Sequence, residues 1–357
     1  MPRIGALHGL TALIFLAAFI PAPAQEPRVS EADWTAHDFT FRSGEKLPEL
    51  RLHYRTLGAP ARDNAGHVRN AILILHGTTG TGAAFLSETF AGVLFGPGQP
   101  LDANRYYIIL PDCIGHGKSS KPSDRLRAHF PHYDYDDMVR AEYLLVHDGL
   151  NVDHLRLVMG TSMGAMHTWM WGEMYPGFVD ALMPLASAPV QIAGRNRIFR
   201  EMIIDAIRGD PDWKGGDYSS PPRGMLTAVD VLFMMTSSPL QLQKTAPTRD
   251  KADEEYLKIK QRAQRIDAND MLYAFDASRD YNPEPDLDKI TAPLFAVNSA
   301  DDEVNPPELG ILEREIRRVP RGRYILIPTS DQTRGHGTHS RPAVWKDYLV
   351  ELLKISG

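Results

Sequence analysis

Three side chains lying far apart in the sequence have the types needed for nucleophilic acyl chemistry. Ser162 sits in Gly160-Thr161-Ser162-Met163-Gly164, a G-x-S-x-G pentapeptide that holds the serine at the tip of a sharp turn when a strand precedes it and a helix follows. Side chains in place of either glycine would collide across such a turn. A serine hydroxyl attacks a carbonyl only when a base takes its proton, and that base needs a carboxylate to fix its tautomer. After this kind of turn the acid and the base follow in that order, each at the carboxyl end of a later strand. The stretch Ser299-Ala300-Asp301-Asp302-Glu303-Val304-Asn305-Pro306 offers three acids. Asp302 is the choice, because Asp-x-Val-x-Pro closes the turn after it, and Asp301 is the runner-up. The base is assigned to His336, which lies between glycines in Gly335-His336-Gly337-Thr338-His339. His339 is expected to cap or support the final helix.

The oxyanion formed on an attacked carbonyl needs two converging N–H donors. One is expected from the backbone of Met163, at the positive end of the helix after the nucleophile. The other is expected from His76-Gly77-Thr78-Thr79-Gly80, with Thr78 preferred and Thr79 second. His76, at a strand end beside glycines, reads as a structural hydrogen-bonding residue.

Other chemistry-bearing residues read as packing. Cys113 follows Asp112 in a glycine-rich turn and is expected to be a buried thiol. Gly117-Lys118-Ser119 resembles the end of a phosphate loop, but the first glycine of that motif falls on Asp112, and Pro122 stands where a helix should run. Histidines and carboxylates show no H-E-x-x-H or similar spacing, so neither a metal nor another cofactor is expected. Trp169 and Trp171 point to nearly opposite faces of one helix and are expected to pack.

The elements that must position these residues follow from the hydrophobic pattern. Strand character appears at 37–42, 50–57, 71–76, 106–110, 155–159, 181–186, 293–297 and 324–327, and helical patterns at 136–147, 163–174 and 343–354. Apolar strands alternating with helices imply an α/β fold with a mostly parallel sheet covered on both faces. The stretch 191–285 breaks the rhythm with helical patterns at 198–207, 225–235, 252–263 and 268–275. It reads as a helical cap inserted into a core made of 25–190 and 286–357.

Residues 1–24 have a basic start at Arg3, an apolar run over 10–20 and the ending Ala22-Pro23-Ala24, the layout of a secretory signal peptide cut after Ala24. The apolar run falls short of the roughly 20 residues that a membrane-crossing helix needs. A secreted or periplasmic protein without stable membrane insertion is therefore expected. The whole chain of 357 residues carries a net charge of -6, which gives no electrostatic case for nucleic acid. Its single cysteine allows no intrachain disulfide. A homodimer, if the chain forms one, is expected through the cap.

From about His76 to Trp345 the chain resembles the α/β-hydrolases of the homoserine O-acetyltransferase-like branch. The residues that carry this are Phe95-Gly96-Pro97-Gly98-Gln99-Pro100-Leu101-Asp102, Asp137-Met138-Val139-Arg140-Ala141, the Ser162 pentapeptide with Ala165-Met166, Asp210-Pro211-Asp212-Trp213-Lys214-Gly215-Gly216-Asp217-Tyr218, Asp267-Ala268-Asn269-Asp270-Met271-Leu272-Tyr273 and Asp302-Glu303-Val304-Asn305-Pro306-Pro307. The resemblance implies an α/β-hydrolase fold and assigns nucleophile, acid and base to Ser162, Asp302 and His336. It also implies a carboxylate just after the base, placed to meet the amino group of homoserine, where this chain has Gly337; Asp217 and Asp270 are the acids of the cap that could replace it. With no such carboxylate and with export away from cytosolic acetyl-CoA, the expected activity is hydrolysis of a small-molecule acyl ester. An O-acyltransferase is the alternative; an amidase or peptidase, and a non-catalytic binding protein on the same scaffold, are further ones.

Overall fold

Five apolar residues in a row, from Ala71 to Leu75, have no polar face to give to water, and in the computed structural model they form a strand buried on both sides. The structure describes Pro2 and residues 28–357, so the 1–24 segment, Pro2 apart, lies outside the described residues. Eight strands, β1 (Val29–Thr40), β2 (Lys46–Leu57), β3 (Ala71–Leu75), β4 (Tyr107–Pro111), β5 (Leu157–Thr161), β6 (Leu182–Leu185), β7 (Leu294–Ser299) and β8 (Gly322–Ile327), make one sheet. Its order is β1-β2-β4-β3-β5-β6-β7-β8. β1 pairs antiparallel with β2, and β2 with β4, while the remaining neighbours are parallel.

Helices join the parallel strands: α1 (Ala91–Leu94), α2 (Tyr135–Leu144) and α3 (Met163–Met174) before β6, α4 (Gly194–Arg208), α5 (Gly224–Thr236), α6 (Pro239–Thr245), α7 (Arg249–Ala263) and α8 (Ala268–Asp276) between β6 and β7, and α9 (Ile311–Glu315) and α10 (Pro342–Ile355) after β7. Because strand side chains alternate between faces, Leu73, Leu75 and Val158 pack with α2, α3 and the inserted helices, whereas Ile72, Ile74 and Met159 pack with Phe90, Trp345 and Leu349. The central strands are thus fixed from both sides, and their carboxyl ends are the rigid rim on which the site is built. Among the described residues no single helix is long and apolar enough to cross a membrane.

Several expected boundaries shift. The first strand begins at Val29 rather than His37; it is a largely exposed edge strand whose extension comes from pairing with β2, a backbone property that apolar periodicity does not register. The helix expected over 136–147 is α-helical only to Leu144 and then widens into a π turn, Leu145–Gly149. It ends where Gly149 lies under the Trp34 ring; a Cβ there would come within 2.9 Å of it. α6 was not expected, because its seven residues show too little periodicity to separate it from the surrounding turns.

One carboxyl in the packing between α3 and its neighbours carries a stability prediction. Burial raises the Glu173 carboxyl, and nearby Asp286 and Asp136 add to this, so that its pKa reaches about 8 against an ordinary 4.5; its Oε1 has no hydrogen-bond partner. Between those pH values the unfolded chain releases the proton and the folded chain keeps it, so stability falls as pH rises through the window. Glu173→Gln should therefore raise Tm at pH 8 but leave it unchanged at pH 4. Melting curves that shift equally at both pH values would show that the charge is not the cause.

Candidate active site

Ser162 lies between β5 and α3 with φ 53° and ψ -110°, a strained conformation for a side chain with a Cβ. Two close approaches hold it there. A Cβ on Gly160 would lie 2.0 Å from the Gly164 carbonyl oxygen, and one on Gly164 would lie 2.1 Å from that of Leu75, so both positions need glycine. The Ser162 N–H donates to the Leu185 carbonyl at 2.9 Å and the Gly164 N–H to that of His76 at 3.0 Å, which ties the turn to the strands on either side.

His336 Nε2 is 2.8 Å from Ser162 Oγ, and its Nδ1 is 3.0 and 3.1 Å from the two carboxylate oxygens of Asp302. The structure thus brings together the three residues read from the sequence, one from the end of β5, one from the turn after β7 and one from the loop after β8. Asp302 is fully buried. Burial by itself would push its pKa up, but His336 beside it, with the N–H donors of Asn305 and Val304, outweighs this and holds the carboxyl below its ordinary value. It accepts from Val304 at 2.8 Å and Asn305 at 3.1 Å, so the turn itself aims the carboxylate. An arrangement of this kind can deprotonate a hydroxyl and stabilise the imidazolium that results.

Asp301, the runner-up, faces elsewhere. Its carboxylate accepts from the Gly335 N–H and the Thr333 hydroxyl, both at 2.9 Å, and also meets Ser299 Oγ. It holds the loop that carries His336, a role the sequence reading missed although adjacency to Asp302 was the available signal. His339 lies edge-on to the His336 ring, with centroids 5.3 Å apart. Burial, followed by the neighbouring His336, lowers its pKa to about 3, and its carbonyl accepts from Trp345 of α10 at 3.1 Å, the supporting position expected for it.

Met163 is the first residue of α3, where helical N–H groups have no partner within the helix. On the other side, the β3 loop runs against the nucleophile: a Cβ on Gly77 would lie 3.4 Å from Ser162 Cβ. His116 Nε2 meets the Thr78 carbonyl at 2.6 Å, which ties the loop down. The five residues from His76 to Gly80 all border one cavity of about 640 Å³ shared with Ser162, His336 and Gly337. His76 takes the Cys113 N–H on Nε2 at 3.0 Å and donates from Nδ1 to the Gly77 carbonyl at 2.8 Å, as a structural residue would.

Cys113 is buried and donates to Glu142, which also accepts from Trp171 at 2.9 Å and contacts His167 Nδ1 at 2.8 Å. Trp169 and Trp171 are both buried. The turn that resembled a phosphate loop wraps around a carboxylate instead, because Asp112 accepts from the N–H groups of Gly82 and Lys118. The cap acids need a correction. Asp217 is exposed beside Arg127 and Asp270 is tied to Ser123; neither borders the cavity.

A model of the α/β hydrolase fold family matches residues 70–331. Homoserine O-acetyltransferase of Rhodospirillum rubrum is 31% identical over 77% of this chain and 78% of its own length. The chain belongs to the α/β-hydrolase superfamily, in its homoserine O-acetyltransferase-like branch. The Moorella thermoacetica homoserine O-acetyltransferase is 36% identical over 210 residues, 53% of this chain, and the chain spans only 54% of that protein's length. Among solved structures, esterase E22 superposes with a TM-score of 0.79 at 20% identity over 91% of this chain and all of that one, a likeness of fold. At Gly337 the place is open: a Cβ there would meet nothing nearer than Arg334 Cβ at 3.6 Å.

Proposed function

We propose that the chain is a serine ester hydrolase that works through an acyl-enzyme on Ser162, with His336 as base and Asp302 as the acid that orients it. The contact of His336 with both Ser162 Oγ at 2.8 Å and Asp302 at 3.0 Å carries the reading. In the first step Ser162 Oγ attacks the ester carbonyl while its proton passes to His336 Nε2. Developing negative charge on the carbonyl oxygen meets the Met163 N–H and a donor of the β3 loop, for which Thr78 is the assignment. His336 then protonates the leaving alcohol. Water, deprotonated by the same nitrogen, releases the acid and restores the serine. A fluorophosphonate probe should label wild type on Ser162 and leave Ser162→Ala unlabelled; an unlabelled wild type would sink the hydrolase reading.

Water as acceptor is favoured by Gly337. An ammonium group entering a partly desolvated cavity needs a compensating carboxylate, and among the described residues the only carboxylate bordering this one is Glu255, which is paired with Lys258 at 2.7 Å. The leader-like segment 1–24 further supports a place of action outside the cytosol, away from acetyl-CoA. An O-acyltransferase is the second reading, favoured by the names of the relatives. Given acetyl-CoA or an activated acetyl ester with excess L-homoserine, the enzyme should yield more free acetate than O-acetylhomoserine, and Gly337→Asp should move the ratio toward transfer. Predominant O-acetylhomoserine from the wild type would establish the second reading.

A further inference from the structure

Arg200 of α4 borders the cavity that holds Ser162 and His336, yet its side chain is only 2% exposed. It sits between the rings of Phe199 and Phe275, 5.6 and 5.5 Å from their centroids. Its protein partners are all neutral. Nε donates to Asn196 Oδ1 at 2.9 Å and Nη1 to Ser278 Oγ at 3.0 Å. The hydroxyl of Tyr135, wholly buried, lies beside Arg200, Thr78 and Ser278 without a well-formed hydrogen bond to any of them.

A guanidinium does not escape burial by losing its proton, and a buried charge without a partner is strongly unfavourable. The other buried arginine or lysine among the described residues, Arg55, meets Asp112 at 3.0 Å. Arg200 has no acid partner among the described residues, and the N–H groups it does not spend on Asn196 and Ser278 are left for the cavity. Elsewhere on the wall α7 contributes Arg262 and the mutually neutralising pair Lys258–Glu255, so the lining is cationic.

We propose that Arg200 is the seat of a substrate carboxylate, so that the ester this cavity takes carries an anionic group on its acyl or its alcohol part. The inference rests on the hydrolase reading for its ester chemistry, whereas the anion site itself stands on Arg200 alone. The neutral ring of partners has a purpose on this view: Asn196 and Ser278 orient the fork without neutralising it, which leaves its charge for the ligand.

The test compares four esters: neutral 4-nitrophenyl butyrate, 4-nitrophenyl hemiglutarate with the carboxylate on the acyl side, 4-acetoxybenzoate with it on the alcohol side, and neutral methyl 4-acetoxybenzoate. One of the two anionic esters should exceed its neutral counterpart in kcat/KM, by about 10² where the charged hydrogen bonds form fully. That ratio should collapse in Arg200→Gln and fall substantially in Arg200→Lys, whose ammonium has no planar fork and can shed its proton when buried. Methyl 4-acetoxybenzoate serves as the neutral control on the alcohol side. A separate measurement needs no turnover and no variant: glutarate should raise the Tm of the wild-type protein where glutaramide does not. If neutral esters are turned over but neither anionic ester is preferred and glutarate has no effect, the Arg200 inference falls and the hydrolase stands. If glutarate stabilises the protein while no ester is cleaved and no probe attaches, the anion site stands and the hydrolase reading falls.

Discussion

Ser162→Ala and His336→Ala should each lower kcat/KM for a simple aryl ester by on the order of 10³-fold or more, while near-ultraviolet spectra and melting behaviour stay close to wild type. Each substitution removes a chemical step: without Oγ no acyl-enzyme can form, and without Nε2 the hydroxyl keeps its proton. Neither residue carries the core. Ser162 is partly exposed to the cavity, and the strain at its backbone would be no greater with alanine. Because both remove the same step, the double variant should be about as impaired as either single one. In the wild type the rate should decline as pH is lowered from roughly 8 to 5, because general-base catalysis needs an unprotonated base. Asp302, held below the ordinary carboxylate range, stays ionised there and adds no second transition. A double variant whose loss equals the product of the two single losses, or a rate flat across that range, would show that serine and histidine do not act as a unit.

The second large effect separates two neighbouring acids. Asp302→Asn should cost on the order of 10³ to 10⁴ in kcat, since an amide at that place can donate to the ring and favour the wrong tautomer. Asp301→Asn should cost no more than about tenfold, because an asparagine oxygen in the place of Oδ2 keeps both the Gly335 N–H and the Thr333 hydroxyl, and only the contact with Ser299 Oγ is exchanged, where a single neutral hydrogen bond is worth about 1 kcal/mol. Steady-state kinetics of the two variants decide the matter. The reverse ranking would mean that Asp301, and not Asp302, orients the base in solution.

Both predictions rest on residues that could be found before any coordinates were known. The nucleophile turn was legible because its glycines are dictated by contacts within a few residues, and the acid turn because the Asp302 carboxylate is aimed by the N–H groups of Val304 and Asn305 next to it. Local causes leave local marks. Asp301 was half legible: its acidity was seen, but its grip on Gly335 and Thr333 spans more than thirty residues. Arg200 left no mark, because α4 is amphipathic and its sequence does not say which side of the helix turns toward the nucleophile. Edge strand β1 was undercounted for the same reason in another form, its length being set by a partner strand.

The placement of the catalytic candidates along the chain also bears on when the protein can first act. Ser162 and its turn are synthesised with β3 to β6, whereas His336 reaches it across 174 positions from the loop after β8. Every intermediate that lacks the final two strands and α10 therefore has a passive hydroxyl in place of an activated one. On the proposed mechanism, a chain growing or emerging from its N-terminus stays chemically silent until its last segment docks on β7, and loss of that segment would silence it again. Latency of this kind follows from topology alone and requires no inhibitory segment.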